Sequence, residues 1–365
     1  MKNRFCLLCL VVTFFTGILY LNNDLYTNKL PVDPPKQIVA IVFAGRRDRL
    51  EILHRYLTRN FVCNGGILDR AVFVIKTNDQ QDMSYIDTLV NSTSQYESIR
   101  IPKRDYAYFS WEPIYKIMEP QSIYIKMDDD IVYIADNTIQ SITRALEQDN
   151  RWVTMSANVV NHPLLSYFHK IFGALHPYVM DLSSHGLVVN RTDWGVLKNP
   201  RTQNSTFLLD VPKEKRRFVY TEDSKELDAT IAKHVEYDPF GGSWKYWESA
   251  VLSHYSLFHN LEEHRIDRYD FGLLNLNPGK YSRWSINFFA IRGEDVLQNP
   301  MPDDFGDDEI YYSVMLPKKL NRHSGVLGNA VVSHFSYGVQ TEGVMMTDVL
   351  EKYKSLSLNG SESSF

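Results

Sequence analysis

Residues 122–134 constrain the fold of this chain more than any other part of its sequence. They read Ser-Ile-Tyr-Ile-Lys-Met-Asp-Asp-Asp-Ile-Val-Tyr-Ile, so three carboxylates interrupt a stretch rich in β-branched and aromatic side chains. Such a stretch is typical of a buried strand. Because side chains alternate along an extended chain, we expect Asp128 and Asp130 to share one side and Asp129 to point to the other.

Adjacent carboxylates at the end of a buried strand repel one another unless a cation lies between them. Mn²⁺ and Mg²⁺ are hard divalent ions that prefer oxygen ligands, and either can also hold phosphate groups. The acidic triplet therefore predicts a metal site with Asp128 and Asp130 as ligands. The alternative is a loop with a solvated acidic cluster, which the apolar flanking residues disfavour.

Strand and helix patterns alternate before the triplet, which is typical of an α/β fold with a mostly parallel sheet and helices on both faces. The predicted strands are 38–43, 71–75 and 98–101, and the predicted helices begin near residues 48, 82 and 112. Ligands of such sheets bind outside the carboxyl ends of the strands. Arg46, Asn78 and Asp79 follow two of these ends and are therefore candidate ligand-binding residues, together with Asp128 and Asp129.

The pattern after residue 150 is less regular. An apolar stripe through Trp247, Val251, His254 and Phe258 predicts a helix, in which we expect His254 to be a core or interface residue. Residues 285–291 predict a further strand. The small, polar tail from about Ser355 predicts disorder.

The amino terminus predicts a membrane anchor. Residues 5–21 are uncharged and largely apolar, and Lys2 and Arg4 precede them. Residues 1–4 would then be a cytoplasmic tail, residues 22–36 a stem, and the remainder would lie in the lumen of the Golgi or ER. A cleaved signal peptide is the alternative. The net charge of -5 and the lack of a long basic run disfavour a nucleic-acid partner.

The first half of the chain resembles the nucleotide-binding half of GT-A-fold glycosyltransferases. Residues 123–134 are similar to their Asp-x-Asp strand, Gly306–Ile310 to their acidic motif at a helix start, and Val331–Phe335 to their C-terminal strand. Three further stretches, 156–161, 254–256 and 285–288, resemble a poorly characterised set of fungal-type GT-A proteins. The order Asp-x-Asp, acidic motif, histidine is that of the GT-A family, and the resemblance covers about residues 37–350.

The resemblance implies a Rossmann-like nucleotide-binding half, residues 37–150, fused to an acceptor-binding and catalytic half, residues 151–350, with a tail at 351–365. It implies that His334 completes the metal site of Asp128 and Asp130. It also implies a catalytic base in the acidic motif, where Asp308 is favoured over Asp307 and Glu309. Glu294 and Asp295 are rival bases, because they too follow a predicted strand.

The expected protein is a type II membrane glycosyltransferase, hexosyltransferase-like and inverting. It would use Mn²⁺ or Mg²⁺ and move a sugar from a nucleotide-sugar donor to a glycan, glycoprotein or glycolipid acceptor. The alternative is a non-catalytic luminal protein that binds a glycan or nucleotide on the same fold. His185 is a candidate for the donor loop, and Trp244, Trp247 and Trp284 either stack on sugar rings or pack in the core. The unpaired Cys63 and the anchor both permit a homodimer.

Overall fold

The computed structural model describes residues 36–101, 111–180, 218–220 and 242–358, together with the single positions 227, 230 and 232. Its strands are β1 (Ile38–Ala44), β2 (Arg70–Ile75), β3 (Tyr96–Arg100), β4 (Ile123–Asp128), β5 (Ile131–Ile134), β6 (Trp152–Val160), β7 (Tyr178–Met180), β8 (Phe218–Tyr220), β9 (Leu273–Asn275), β10 (Phe288–Arg292) and β11 (His323–His334). Its α-helices are α1 (Arg47–Asn60), α2 (Gln80–Ser92), α3 (Glu112–Tyr115), α4 (Thr138–Gln148), α5 (Leu165–Ile171), α6 (Trp247–Glu262), α7 (Gly293–Gln298), α8 (Asp308–Ile310), α9 (Leu316–Leu320), α10 (Thr341–Met345) and α11 (Val349–Leu358).

One nine-stranded sheet organises these elements, in the order β3-β2-β1-β4-β10-β6-β11-β5, with β9 paired to β11 off this path. The strands β3, β2, β1 and β4 are parallel to one another, and β6 and β11 run in the same direction. The strands β10, β5 and β9 run the opposite way. The sheet is therefore mostly parallel, and the predicted α/β class is confirmed.

The acidic triplet requires the sheet to curl. Only Asp129 and Asp130, which form a turn, separate β4 from β5, yet β10, β6 and β11 lie between these two strands in the sheet. Four strand spacings in a flat sheet would cover about 19 Å. The three residue steps from Asp128 to Ile131 reach about 11 Å at most. The strand ends on this side therefore converge, which brings β11 toward the end of β4.

This turn corrects the prediction of one continuous strand over residues 123–134. The chain instead leaves β4, which pairs with β1 and β10, and enters β5, which pairs with β11. Alternation along a single strand therefore does not decide which side each aspartate takes. The turn at Asp129 and Asp130 decides it.

Strands from the two predicted halves of the chain interleave in the sheet. The strand β10, which follows residue 150 in sequence, pairs with β4, and β5, which precedes residue 150, pairs with β11. The predicted tail also contains ordered structure, because α11 extends to Leu358 and buries Tyr353 completely. This helix packs on α1 and β5. Residues 359–365 lie outside the described part of the chain.

Both faces of the sheet are covered, as a continuous apolar strand predicts. Along β1, Ala40 and Val42 enter one hydrophobic core, whereas Val39 and Ile41 enter the other. The helix α1, which begins close to the predicted position, buries Leu50, Leu53 and Leu57 against the sheet. The second core places aromatic rings beneath the carboxyl ends of the strands, where Phe43 packs on Trp111 with ring centroids 5.2 Å apart.

Two predictions concern residues outside the described ranges. The membrane anchor at 5–21 is one of them, and the donor-loop residue His185 is the other. Within the described ranges, no helix combines the length and the apolar character needed to cross a bilayer.

Candidate metal and nucleotide site

The carboxyl ends of the parallel strands meet at one edge of the sheet. Ala44 at the end of β1 is in register with Ile75 at the end of β2, and Phe43 is in register with Asp128 at the end of β4. The end of β11 reaches the same edge, where His334 lies opposite Ile131. The topology therefore assembles here the residues that follow several distant strands.

Asp128, Asp130 and His334 come together at this edge. One possible ligand atom from each lies within 4.8 Å of the other two. Two ligand atoms on opposite sides of a Mg²⁺ ion are about 4.2 Å apart, so small side-chain rotations would complete a site. The Oδ1 atom of Asp130 is buried and has no hydrogen-bond partner within the described residues. A buried carboxylate oxygen in this state fits a metal ligand, and the three residues therefore fit a divalent cation.

Two cationic side chains already neutralise part of the acidic charge. Arg46 donates from Nε and Nη2 to Asp129, and its Nη1 lies 3.0 Å from Oδ2 of Asp130. Lys126 donates from Nζ to Oδ1 of Asp128 at 2.6 Å and to the Ile286 carbonyl at 2.7 Å. The protein itself therefore supplies cations that the sequence argument assigned to a metal alone. Three carboxylates face two cationic side chains, so the cluster stays acidic.

Asp129 holds the turn after β1. It accepts hydrogen bonds from the Gly45 N–H at 2.5 Å and from Nε of Arg46 at 2.8 Å. Burial raises the pKa of Asp129, and Arg46 opposes this effect. Burial acts on Asp130 as well, but His334 and Arg46 outweigh it and hold the pKa of Asp130 below its ordinary value. Asp130 is therefore the carboxylate best kept ionised.

Three neighbours to which the sequence argument assigned no role support the metal group. Asn287 donates from Nδ2 to Oδ2 of Asp128 at 3.1 Å, and the Tyr337 hydroxyl donates to Oδ1 of Asn287 at 3.1 Å. Asn161 donates to the His334 carbonyl at 3.2 Å. Asn161 adopts φ 61°, a left-handed conformation that asparagine tolerates better than most residues. These contacts join segments far apart in sequence, so no local pattern could have revealed them.

Lys126 is different, because a local signal was present. It precedes Asp128 by two residues on the same strand, and side chains two apart in a strand share a face. Its burial, at 6% exposure, shows that the lysine is part of the site and not a solvated charge.

The acidic motif at residues 307–309 begins α8, as predicted. Asp307 caps the helix by accepting from the Ile310 N–H at 2.9 Å. Arg283 bridges Asp307 and Glu309. Its Nη1 atom lies 3.0 Å from Oδ2 of Asp307, and its Nε atom lies 2.6 Å from Oε1 of Glu309. The carboxylate of Asp308, between them, has no hydrogen bond or ion pair with another described residue. Its carboxylate is therefore the one available to a substrate.

Electrostatic coupling connects this motif to the triplet. Burial raises the pKa of Glu309, while Arg283 and Lys126 oppose the rise. Burial lowers the pKa of Lys76, while Asp308 and Asp128 oppose that change. The charges of α8 therefore act on Lys76 and Lys126, and Lys126 contacts Asp128 of the triplet. The acidic motif and the triplet thus belong to one site.

The rival bases lie at the other end of the sheet. β10 runs antiparallel to β4, so Arg292 at its end is in register with Ile123 at the start of β4. This end is about 17 Å from Asp128, since five residues of extended strand separate them. Asp295 is ion-paired there with Arg322 at 2.6 Å. Neither Glu294 nor Asp295 is therefore placed to act on a ligand of the triplet.

The remaining candidates have structural roles or stay predictions. Asp79 caps α2 and accepts from the Gln81 N–H at 2.8 Å, and Asn78 beside it is exposed, so a ligand contact of either residue stays a prediction. His254 is a core histidine, as predicted, with Nε2 2.8 Å from the Phe335 carbonyl oxygen. Burial lowers the pKa of His254 to about 4.

Of the three tryptophans singled out, Trp247 and Trp284 are buried and pack in the core. Trp244 is half-buried, and its ring centroid lies 6.3 Å from that of Tyr337.

The sequence matches no known protein family. It also matches no curated protein. Among solved structures, a mannosyltransferase from Pyrobaculum calidifontis in complex with GDP-Man and Mn²⁺ is 10% identical, covers 97% of this chain and 75% of its own, and has a TM-score of 0.41. A CMP:2-keto-3-deoxy-manno-octonic acid synthetase complexed with CTP is 12% identical, with coverages of 89% and 99% and a TM-score of 0.37. A 4-diphosphocytidyl-2C-methyl-D-erythritol synthase from Anaerococcus prevotii DSM 20548 is 11% identical, with coverages of 87% and 96% and a TM-score of 0.37.

Proposed function

We propose that this protein is a metal-dependent glycosyltransferase that moves a sugar from a nucleotide-sugar donor to an acceptor hydroxyl. The convergence of Asp128, Asp130 and His334 at the carboxyl ends of the strands carries this proposal. A diphosphate needs a cation before it can leave, and an acceptor hydroxyl needs a base. The described residues offer both, at one edge of one sheet.

Donor binding rests on residues at the ends of β1 and β4. Asp128, Asp130 and His334 would hold Mn²⁺ or Mg²⁺, which when bound would neutralise charge on the leaving diphosphate. Arg46 is 41% exposed although it is paired with two aspartates, so part of its guanidinium remains open to a phosphate oxygen. Lys126 holds the Asp128 carboxylate in place through its 2.6 Å contact.

The base is Asp308, whose carboxylate would accept the proton of the acceptor hydroxyl. It lies in the first turn of α8, next to the capping residue Asp307. Arg283 holds Asp307 and Glu309, so these two stay in place while Asp308 remains available. A base on the far side of the sugar from the leaving group gives inversion, and we include inversion in the proposal.

The cellular setting is part of the same proposal. The apolar segment at 5–21 would anchor the protein as a type II membrane protein of the Golgi or ER, with the sheet in the lumen. The acceptor would then be a glycan, glycoprotein or glycolipid of the secretory pathway, and both Cys63 and the anchor would permit a homodimer.

The decisive experiment uses the chain from Pro31 onward, secreted from a eukaryotic host. Nucleotide release is measured for UDP-, GDP- and CMP-sugars with Mn²⁺, with Mg²⁺ and with EDTA. We expect release from one donor, lost with EDTA and in Asp130→Ala. Full release in Asp130→Ala would refute the metal site. Calorimetric binding of a donor without release under any condition, including in the presence of an acceptor array, would favour the non-catalytic alternative.

A further inference from the structure

A cleft of about 240 Å³ adjoins the acidic motif. Its walls include the apolar side chains Leu164, Phe168, Leu274, Leu276 and Trp284, with Arg283 at one side. Arg283 is the residue that bridges Asp307 and Glu309, so the cleft reaches the two residues that flank the proposed base Asp308. The volume is below the 300–1,000 Å³ of typical drug-sized pockets, which suits a single sugar ring.

A short segment connects this cleft to the metal group. Residues 283–287 begin at the cleft wall and end at Asn287, whose side chain contacts Asp128. On the way, the Ile286 carbonyl accepts from Lys126. The four residue steps from Arg283 to Asn287 cover about 14 Å at most, so a ring in the cleft lies close to a donor held at the triplet.

An exposed apolar surface continues from the cleft in the other direction. The ring of Phe168, a cleft wall, lies 5.2 Å from that of Phe271, which lies 6.5 Å from that of Phe172. Ile171 is 55% exposed, and Phe172 and Leu273 are each 51% exposed. We refer to Ile171, Phe172, Phe271 and Leu273 as the apolar patch. Clustered exposed apolar side chains mark an interaction surface, whereas single ones need no explanation.

The combination suits a ligand with a polar head and a hydrocarbon tail. Lys280 and Arg283 supply charge at the cleft, where a hydroxylated or anionic head group would lie. The side chains of the apolar patch cannot hydrogen-bond to the hydroxyl groups of a free glycan, whereas a hydrocarbon chain needs no such partner. Since Phe168 belongs to the cleft and contacts Phe271, the apolar part of the ligand has to follow directly after its head.

We propose that the acceptor is amphiphilic: a lipid-linked saccharide whose sugar enters the cleft and whose hydrocarbon chain lies over the apolar patch. This inference rests on the proposed function and narrows its acceptor from three classes to one. A hydrocarbon chain removes from water the patch side chains that are otherwise half exposed, so affinity rises with chain length. A glycoprotein acceptor predicts no such dependence.

Alkyl glycosides test the inference. Methyl, octyl and dodecyl glycosides of glucose, galactose, mannose and N-acetylglucosamine are titrated below their micelle concentrations, and binding is measured by saturation-transfer NMR. We expect the dodecyl form of one sugar to bind at least about tenfold more tightly than its methyl form, because each buried methylene adds to binding. Equal binding of the two forms, or no binding by any dodecyl glycoside, would overturn the inference.

Matched variants locate the effect. The double variant Ile171→Ser/Phe172→Ser should lose most of the gain from chain length, whereas Val62→Ser, which changes a side chain that is 57% exposed elsewhere, should keep it. Equal loss in both would overturn the assignment to the patch. All three altered positions are more than half exposed, and far-UV circular dichroism checks folding.

Donor binding is measured on the same samples by calorimetry. Nucleotide-sugar release with no effect of chain length would overturn this inference and leave the proposed function standing. Chain-length dependence without any nucleotide-sugar binding would support the amphiphile site and refute the proposed function.

Discussion

Carboxylates pair with basic side chains at both ends of the β4–β10 strand pair. The ratio of carboxylates to the cationic side chains that they contact differs between the two ends. At the carboxyl end of β4, Asp128, Asp129 and Asp130 face Arg46 and Lys126. At the other end, Asp295 is ion-paired with Arg322 at 2.6 Å and with Arg292 at 3.7 Å. Three carboxylates therefore contact two cationic side chains at the first end, whereas one carboxylate contacts two at the second.

The charged groups at the two ends also differ in their other partners. Arg322 and Arg292 also donate to backbone carbonyl oxygens, including that of Trp152, so their charge ties β6 and β10 together. At the triplet, Oδ1 of Asp130 lacks a hydrogen-bond partner among the described residues. Oδ2 of Asp295 also lacks a hydrogen bond among the described residues, but an arginine lies 3.7 Å away, and no second carboxylate or histidine is grouped with it as a possible metal ligand in this part of the chain.

The largest expected effect concerns the two candidate bases. Asp308→Asn should lower transfer by about 10²- to 10⁴-fold, because a general base contributes that much, and should leave donor affinity unchanged. Glu294→Gln at the opposite end is the matched control and should keep wild-type transfer. Steady-state kinetics with donor binding by calorimetry make the measurement. Loss of activity in Glu294→Gln, with wild-type activity in Asp308→Asn, would identify Glu294 as the catalytic base in place of Asp308.

The second effect concerns stability. Asp295→Ala should lower the free energy of unfolding by about 3 kcal/mol, because it leaves two guanidinium groups with an uncompensated charge. Urea unfolding measures this change, and turnover per folded molecule should be unchanged. A fall in turnover without a fall in stability would place Asp295 in the catalytic site and remove the contrast between the two ends.

The third effect is a pH dependence of stability that arises from the buried histidines His254 and His169. Burial lowers the pKa of His254 to about 4 and that of His169 to about 3, whereas an unfolded histidine titrates near 6.5. The unfolded state therefore binds more protons below pH 6.5, and stability falls as the pH drops from 6.5 toward 4. Each histidine contributes about 1.4 kcal/mol per pH unit in this window.

Urea unfolding at pH 7, 6 and 5 measures this slope. His169→Gln retains a donor for Asn158, which His169 contacts at 2.7 Å, and should show a shallower slope than wild type. An identical slope in this variant would show that His169 binds protons equally in the folded and unfolded protein, so that burial does not lower its pKa.

The smallest effect separates two roles of Asp79. As the cap of α2, its replacement in Asp79→Ala should cost about 1 kcal/mol of stability. If the cap is its whole role, the Michaelis constant for the donor should not change. Thr88→Ala, in the same helix, is the control and should leave that constant unchanged. A several-fold rise in the constant for Asp79→Ala alone would place Asp79 in the donor site, which would then include a residue that follows β2.

Local pattern predicted the parts of the fold that depend on neighbouring residues. The strand β1, the helix α1 and the start of α8 follow from apolar periodicity and from acidic residues at a helix start. The position of the triplet at a strand end was also visible, because an apolar run stopped there. These features were predictable because their causes lie within a few residues of one another.

Pairings between distant segments were not predictable in the same way. The break between β4 and β5 depends on which strands pair with residues 123–128 and which pair with residues 131–134. The partner of β5 is β11, which lies about two hundred residues further along the chain. The choice between Asp308 and Glu294 depended on the antiparallel entry of β10, since both follow similar local patterns. Strand direction is a property of the whole sheet, and no local pattern encodes it.

The sequence by itself therefore determined the chemical types at the site: three carboxylates at a strand end, a histidine late in the chain and an acidic helix start. The tertiary structure decided which of these meet, with Asp128, Asp130 and His334 brought together and Glu294 placed about 17 Å away. It also decided that Arg46 and Lys126 share the charge of the triplet. The physical reason is that charge acts through space, and only the folded sheet sets those distances.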